Sequence, residues 1–282
     1  MFKLVALVDG SVYSESVLAH AAWIAGRRET QIEVLHVLGR RETSSTPADL
    51  SGSISLGARS ALLAELSALD EERAKLAQKR GRLLLDDAKA KLEALGVQNA
   101  TFALRLGEIV ETVSKTDADM ILIGKRGEGA DFASLHLGSN LERIVRSTKK
   151  YVFVASRAFK EIKRVLIAYD GGASAKKAVD HISRSPTFAG LDLHLLSVSS
   201  DVSAAQRQLD GALAQLSAAG LTATTEVKQG QPDVVIGEMV DQGQVDLLVM
   251  GAYGHSRIRS LIIGSTTSEM LRSCKVPVAL YR

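Results

Sequence analysis

The sequence predicts an α/β protein made of two similar halves, each with a mostly parallel sheet of five strands flanked by helices. Three observations support this fold class: the length of 282 residues, a unit that occurs twice along the chain, and apolar runs that alternate with helical patterns. Globular domains typically have about 100 to 150 residues, so this chain fits two. Strands that alternate with helices form parallel sheets covered on both faces. We therefore expect two Rossmann-like sandwiches in tandem.

The repeated unit begins with an apolar run, an Asp-Gly turn and a helical pattern. Residues 3–25 and 163–184 share this order, which predicts strand, turn and helix in each copy. Later in the unit, the runs DMILIG and DLLVMG are continuously apolar, as expected of a strand buried on both faces. The runs KKYVFVAS and VPVALYR then close each copy as a last strand.

Equal spacing extends the match between the copies. The interval from Asp9 to Val37 equals that from Asp170 to Val198, 28 positions in each case. This interval accommodates a strand, a crossover helix and a second strand. Each copy therefore predicts the same order of elements.

The repeat predicts one domain at residues 1–157 and a second at 160–282. The last strands, at residues 151–155 and 276–281, would otherwise leave two similar exposed edges. We expect these strands to pair with each other, so that one chain forms an intrachain pseudo-dimer. A homodimer of whole chains is a further expectation.

The copies differ by an insertion in the first, at about residues 40–80. From Val37 to Gly96 the chain takes 59 positions, whereas from Val198 to Gly220 it takes 22. Both glycines are placed to end a helix in the left-handed conformation. Leucines in the insertion recur at helical spacing, which is compatible with a protruding arm for a protein partner or with a longer crossover helix packed on its own domain. The leucines are Leu62, Leu66, Leu69, Leu76 and Leu83, and Arg73 and Arg80 interrupt their stripe.

Composition excludes several classes of function. The formal net charge is +3 and aromatic residues make up 4%, so the basic, aromatic footprint of a nucleic-acid-binding protein is absent. The single cysteine, Cys274, allows no intrachain disulfide and indicates a reducing compartment. No apolar run approaches the ~20 residues that span a bilayer, and the first residues lack the features of a signal peptide. We expect a cytoplasmic protein with no membrane or nucleic-acid partner.

A glycine loop follows the fourth strand of the second copy, in the segment GAYGHSRIRSLIIGSTTSEML. Glycines allow the backbone to approach a phosphate closely, and the free N–H groups and dipole of a helix N-terminus attract anions. The basic side chains in the loop, His255, Arg257 and Arg259, either add positive charge near the phosphates or are simply solvated surface residues. The candidate residues are Gly251, Gly254, His255, Gly264, Ser265 and Thr266.

The spacing of these three glycines, with two and then nine residues between them and Ser265 directly after the third, resembles the ATP-binding signature of the universal stress protein family. The resemblance covers essentially the whole chain as two copies. It implies a stress-response regulatory protein that binds ATP or a related adenine nucleotide, alone or with Mg²⁺. It also implies that Asp170 lies near the adenine and ribose and that the backbone of Val198 contacts adenine.

The corresponding loop of the first copy departs from this pattern. Ten residues separate Gly127 from Gly138, Asn140 replaces Ser or Thr, and Glu128 and Asp131 add negative charge. Each carboxylate would repel a phosphate by about 1 kcal/mol. We therefore expect a degenerate site here and about one nucleotide per chain. The residues of the degenerate site are Asp9, Val37, Gly124, Gly127, Gly138, Ser139 and Asn140.

The sequence contains no catalytic or metal-binding constellation. It has no Ser-His-Asp order at the loops, no HExxH motif and no histidine spacing typical of metal ligands, so we assign neither catalytic nor metal-ligating residues. Three functions stay open: a nucleotide-binding regulator, a slow ATP hydrolase or other nucleotide-dependent enzyme, and a nucleotide-free interaction scaffold.

Overall fold

The computed structural model describes residues 1–39, 56–127, 139–252 and 264–282, with side chains from Leu62 in the second range and from Asn140 in the third. The elements of the first half are β1 (Phe2–Leu7), α1 (Tyr13–Arg27), β2 (Thr30–Leu38), α2 (Leu56–Ala94), β3 (Ala100–Leu106), α3 (Ile109–Lys115), β4 (Met120–Gly124), α4 (Ser139–Ser147) and β5 (Tyr151–Ala155).

The second half repeats the order of the first. Its elements are β6 (Arg164–Ala168), α5 (Ala173–Arg184), a 3-10 turn (Pro186–Phe188), β7 (Asp192–Val198), α6 (Val202–Ala218), β8 (Ala223–Lys228), α7 (Pro232–Asp241), β9 (Leu247–Gly251), α8 (Ser265–Ser273) and β10 (Val278–Tyr281).

The strands of both halves join in one sheet with the order β3-β2-β1-β4-β5-β10-β9-β6-β7-β8. Neighbouring strands within each half run parallel. β5 and β10 run antiparallel, with Phe153 opposite Ala279. The predicted fold class and the predicted pairing of the last strands are therefore confirmed, while the domain boundaries at 157 and 160 stay a prediction.

Helices cover the sheet on both faces. α1, α5, α6 and the end of α2 pack on one face, and α3, α4, α7 and α8 pack on the other. The strands between them are apolar, as the continuous runs of β4 and β9 predict. No helix in the described ranges is long and apolar enough to cross a membrane.

The insertion and the crossover helix form one helix, α2, of 39 residues. Its buried residues are Gly81, Leu85, Ala88 and Leu92, all in its C-terminal part, and Gly96 then ends it with φ +85°. Between Leu62 and Arg80, where side chains are described, none is buried. The described part of the insertion is therefore not packed in the core of its own domain, and its role towards a protein partner stays a prediction.

Gly81 allows α2 to approach the sheet. A Cβ at this position would lie 2.7 Å from Leu104 Cδ1 and 3.0 Å from His36 Cδ2. The close packing of α2 on β2 and β3 therefore begins at this glycine, and the part of α2 before it extends away from the sheet.

Candidate functional site

The direction of the chain reverses at two places along the sheet. In the first half the chain runs from β1 outward through β2 to β3 and then returns to β4 on the other side of β1, and the second half repeats this path around β6 and β9. In open parallel sheets, ligands bind beyond the carboxyl ends of the strands at such a switch point. The residues predicted from the sequence follow these strands.

In the second half, Asp170 lies in the turn after β6. Its carboxylate accepts a hydrogen bond from the Gly172 N–H at 2.9 Å, and Gly171 has φ +70°, a left-handed conformation that suits glycine. The Tyr169 N–H donates to the Leu196 carbonyl of β7 at 2.8 Å. This bond aligns the two strands, so that the exposed Asp170 lies at the same edge as Val198.

Gly251 brings the end of β9 against the start of α5. A Cβ at Gly251 would lie 2.8 Å from Ser174 Cβ and 3.4 Å from the Ala175 nitrogen, both in the first turn of that helix. A glycine is therefore required for packing here, whatever the loop binds. The contact also places the end of β9 beside the helix that follows the Asp170 turn.

The first turn of α8 lies beside the end of β9. The Gly264 N–H donates to the Ala252 carbonyl at 3.4 Å, and the buried Thr267 hydroxyl donates to the Gly251 carbonyl at 3.1 Å. Ser265 is exposed at the helix start and Thr266 is half-buried. The structure thus brings Gly251, Gly264, Ser265 and Thr266 together, while Gly254 and His255 lie outside the described residues.

The first half has the same framework around Asp9. A Cβ at Gly124 would lie 2.5 Å from Tyr13 Cβ, which matches the contact of Gly251 with α5. A Cβ at Gly127 would lie 2.9 Å from Asp9 Oδ2, so the two predicted loops meet. Val37 lies at the end of β2, Ser139 begins α4 and Asn140 is exposed in its first turn. Gly138 lies outside the described ranges.

The two aspartates differ in their partners. Asp9 Oδ1 accepts hydrogen bonds from the Ser11 N–H at 3.0 Å and from the Ser14 hydroxyl at 3.3 Å. The position equivalent to Ser14 in the second half is Ala175, which has no hydroxyl to donate. A carboxylate oxygen that already accepts two bonds has less capacity for a ligand hydroxyl.

A second difference concerns the side chains that lie against the Asp9 and Asp170 turns, and it was not predicted from the sequence. A Cβ at Gly10 would contact the apolar side chain of Leu84 in α2. A Cβ at Gly171 would contact the side-chain amide of Gln208 in α6. Leu84 and Gln208 both precede the glycine that ends their helix by 12 positions. That equal spacing was the signal that could have found Gln208.

Lys125, directly after β4, was also missed. Its ammonium donates to the Cys274 carbonyl at the end of α8, and burial lowers the pKa of Lys125 to about 8. Arg282 makes the reciprocal contact, because its guanidinium donates to the Thr148 carbonyl at the end of α4 at 3.0 Å. Both cations lie at helix C-termini, which favour positive charge. The positive charge of Lys125, next to the first-half loop, therefore takes part in a contact between the two halves.

Cys274 is a buried free thiol, and burial raises its pKa. The described residues contain no group of three or more His, Cys, Asp or Glu side chains arranged to hold a metal ion.

Comparison with known proteins decides the family. The model of the universal stress protein family matches residues 1–156 and 199–282. The chain belongs to this family. The universal stress protein Slr1230 of Synechocystis sp. is 37% identical over 287 residues, which covers 100% of both chains. The sequence resemblance is thereby confirmed.

More distant universal stress proteins also align with most of the chain. One from Mycolicibacterium smegmatis is 25% identical over 295 residues, covering 98% of this chain and 95% of its own. The crystal structure of one from Archaeoglobus fulgidus superposes with a TM-score of 0.75 at 22% identity and covers 99% of this chain and 98% of its own. The latter likeness shows the fold.

Proposed function

We propose that this universal stress protein binds ATP or a related adenine nucleotide at the carboxyl edge of the second half of the sheet, and that nucleotide occupancy regulates its role in the stress response. The observation that carries the proposal is the hydrogen bond from the Gly264 N–H to the Ala252 carbonyl. This bond sets the first turn of α8 beside the end of β9, whose Gly251 contacts the helix that follows the Asp170 turn.

The first turn of α8 is suited to the phosphates. The helix follows Gly264, which supplies no side-chain cap, and no acidic residue lies in its first turn. The backbone N–H groups and the positive end of the helix dipole favour an anion at this place. The exposed hydroxyl of Ser265 supplies a further donor. Mg²⁺ would accompany ATP on its phosphate oxygens.

The Asp170 turn is suited to the adenosine. Asp170 is exposed and its carboxylate oxygens can accept a ribose hydroxyl, while the backbone of Val198 lies at the end of the neighbouring strand. Gln208 reaches the same turn and adds an amide that can donate and accept. These groups supply the few convergent polar contacts that orient a small ligand.

Isothermal titration with ATP and Mg²⁺ tests the proposal on a matched pair of variants. We expect about one nucleotide per chain, an affinity about 10- to 100-fold weaker in Asp170→Ala because a charge-assisted hydrogen bond is lost, and no change in Asp9→Ala. Both substitutions remove a carboxylate that accepts from a turn N–H. The absence of binding heat in the wild type, or equal losses in the two variants, would contradict the proposed site.

A further inference from the structure

The projecting part of α2 carries an exposed row of leucines. Leu69, Leu76 and Leu83 expose 56%, 67% and 61% of their surface, and Leu63 beside them exposes 49%. Scattered exposed leucines are ordinary, but a continuous apolar row on one helix typically marks an interaction surface. The row is therefore a candidate interaction surface.

The spacing of the row is that of a coiled coil. Leucine recurs every seventh residue at four positions, and a second series follows the first three leucines after four residues. In the heptad notation abcdefg, the leucines occupy d and the second series occupies a. We call these positions the leucine stripe: d is Leu62, Leu69, Leu76 and Leu83, and a is Leu66, Arg73 and Arg80.

The leucine stripe faces away from the body of the protein. The residues that bury α2 on the sheet include Gly81, Leu85 and Ala88. At 100° per residue, Leu83 and Leu85 lie about 200° apart around the helix. A second helix can therefore lie along the stripe without displacing any contact between α2 and the sheet.

We propose that the leucine stripe pairs with the same stripe of a second copy of this chain, as an antiparallel coiled coil. A parallel pair sets a against a, so Arg73 would face the partner's Arg73 in the centre of the interface. An antiparallel pair sets a against d, so Arg73 faces the partner's Leu76. The methylene groups of the arginine then cover the leucine while its guanidinium stays in water.

The charges beside the stripe match this orientation. When the two helices cross between Arg73 and Leu76, the exposed Glu72 lies beside the partner's Lys79, and by symmetry the contact forms twice. A parallel pair lacks these two contacts and brings Glu65 towards the partner's Asp70. The antiparallel pair has two symmetry-related unfavourable contacts, each between Glu65 and the partner's Asp86, at its outer ends, where water and salt screen them. The complementarity of the stripe to itself identifies the partner as a second copy.

Sedimentation velocity over a dilution series of the full-length chain tests the dimer. We expect twice the 30.1 kDa mass of one chain at high concentration. Leu76→Glu should weaken the dimer at least about 100-fold, because two buried leucines are lost per dimer. The control is Leu95→Glu, an exposed leucine (51%) just beyond the end of α2 and off the stripe, which should leave the dimer unchanged. Circular dichroism should show the same fold in both variants.

Charge exchange tests the orientation. Glu72→Lys and Lys79→Glu should each weaken self-association about tenfold, because two attractions become repulsions. An equimolar mixture of the two variants should recover the wild-type affinity. In the mixed dimer one chain carries lysine at both positions and the other carries glutamate at both, so both contacts are attractive again. A variant that cannot fold cannot recover in this way. Monomers at every wild-type concentration, a dimer indifferent to Leu76→Glu, or no recovery in the mixture would each overturn the proposal.

Discussion

Gly124 in the first half and Gly251 in the second make the same contact, each against the first turn of the helix that follows the first strand of its half. The side chains around these equivalent glycines differ: Ser14 corresponds to Ala175, and Leu84 corresponds to Gln208. Close packing requires the glycine in both halves, whether or not a ligand binds. A glycine in such a loop is therefore explained by the fold alone, whereas the surrounding polar groups are the features that indicate a ligand.

The interface between the halves also contains pairs of equivalent residues whose surroundings differ. Lys125 and Arg282 each donate to carbonyls at the C-terminal end of a helix in the other half. His20 and His181 occupy equivalent positions, 11 residues after Asp9 and Asp170. His20 is fully buried, whereas His181 is partly exposed between Tyr151 and Tyr281.

The largest effect is expected from a branched side chain in the glycine loop. Gly254→Val should weaken ATP binding at least about 100-fold, because the ATP-binding signature that this loop resembles has a glycine there, which lets a phosphate approach the backbone closely. Gly127→Val should leave binding unchanged, since its clash is with the movable end of Asp9. Titration calorimetry of both variants measures the difference.

The outcome of this pair also decides between the halves. If Gly127→Val halves the number of bound nucleotides, or if Gly254→Val keeps the wild-type affinity, the binding site has been assigned to the wrong half. A thermal unfolding curve of each variant without nucleotide separates loss of binding from loss of fold.

A second large effect is expected on the pH dependence of stability. Burial lowers the pKa of His20 from 6.5 to about 4 in the folded chain. Between pH 6.5 and about 4, the unfolded chain therefore binds a proton at His20 that the folded chain does not bind. The stability contributed by neutral His20 is present above pH 6.5 and is lost as the pH falls towards 4. The full loss is about 3 kcal/mol.

His20→Leu should remove this loss. Its Nδ1 donates to the Ser16 carbonyl at 2.7 Å, and its buried Nε2 has no hydrogen-bond partner among the described residues, so leucine sacrifices little at pH 7. Urea unfolding at pH 7.5 and 4.5 should show a loss of stability about 2 kcal/mol smaller than in the wild type. An unchanged pH dependence would mean that folding does not lower the pKa of His20.

His181→Leu is the matched comparison. Burial and the neighbouring Arg28 lower the pKa of His181 to about 4, while Asp119 and Asp180 oppose the shift. The change in pH dependence should have the same sign as for His20→Leu. It should be smaller, since water screens a partly exposed ring.

Much of the fold followed from the sequence because its signals are local. The apolar runs, the Asp-Gly turns and the left-handed Gly96 and Gly220 all specify backbone within a few residues. The pairing of β5 with β10 followed from symmetry, since two equal edges in one chain can cover each other. These predictions needed no knowledge of distant contacts.

The missed residues depend on contacts between distant segments. Lys125 lies in the first-half loop, and only the tertiary structure shows that its ammonium reaches the Cys274 carbonyl. Gln208 lies 37 residues after Gly171 in the chain, and the packing of α6 brings its amide to that turn. Local patterns carry no information about such contacts, although the alignment of the two copies does point to Leu84 and Gln208 as a pair.

The smallest expected effect tests that pair. Gln208→Leu places an apolar side chain against the turn after β6, as Leu84 lies against the turn after β1. It should weaken ATP binding about threefold to tenfold, the effect of one neutral hydrogen bond. Stability should change little, because Gln208 lies on the outside of α6 and leucine suits a helix equally well. Leu84→Gln makes the reverse change and should create no binding in the first half, where Asp9 already accepts from Ser14 and the loop before α4 is one residue longer. Calorimetry of both variants gives affinity and stoichiometry together. If Leu84→Gln raises the stoichiometry towards two nucleotides per chain, the side chain over the turn, rather than the glycine loop, distinguishes the two halves.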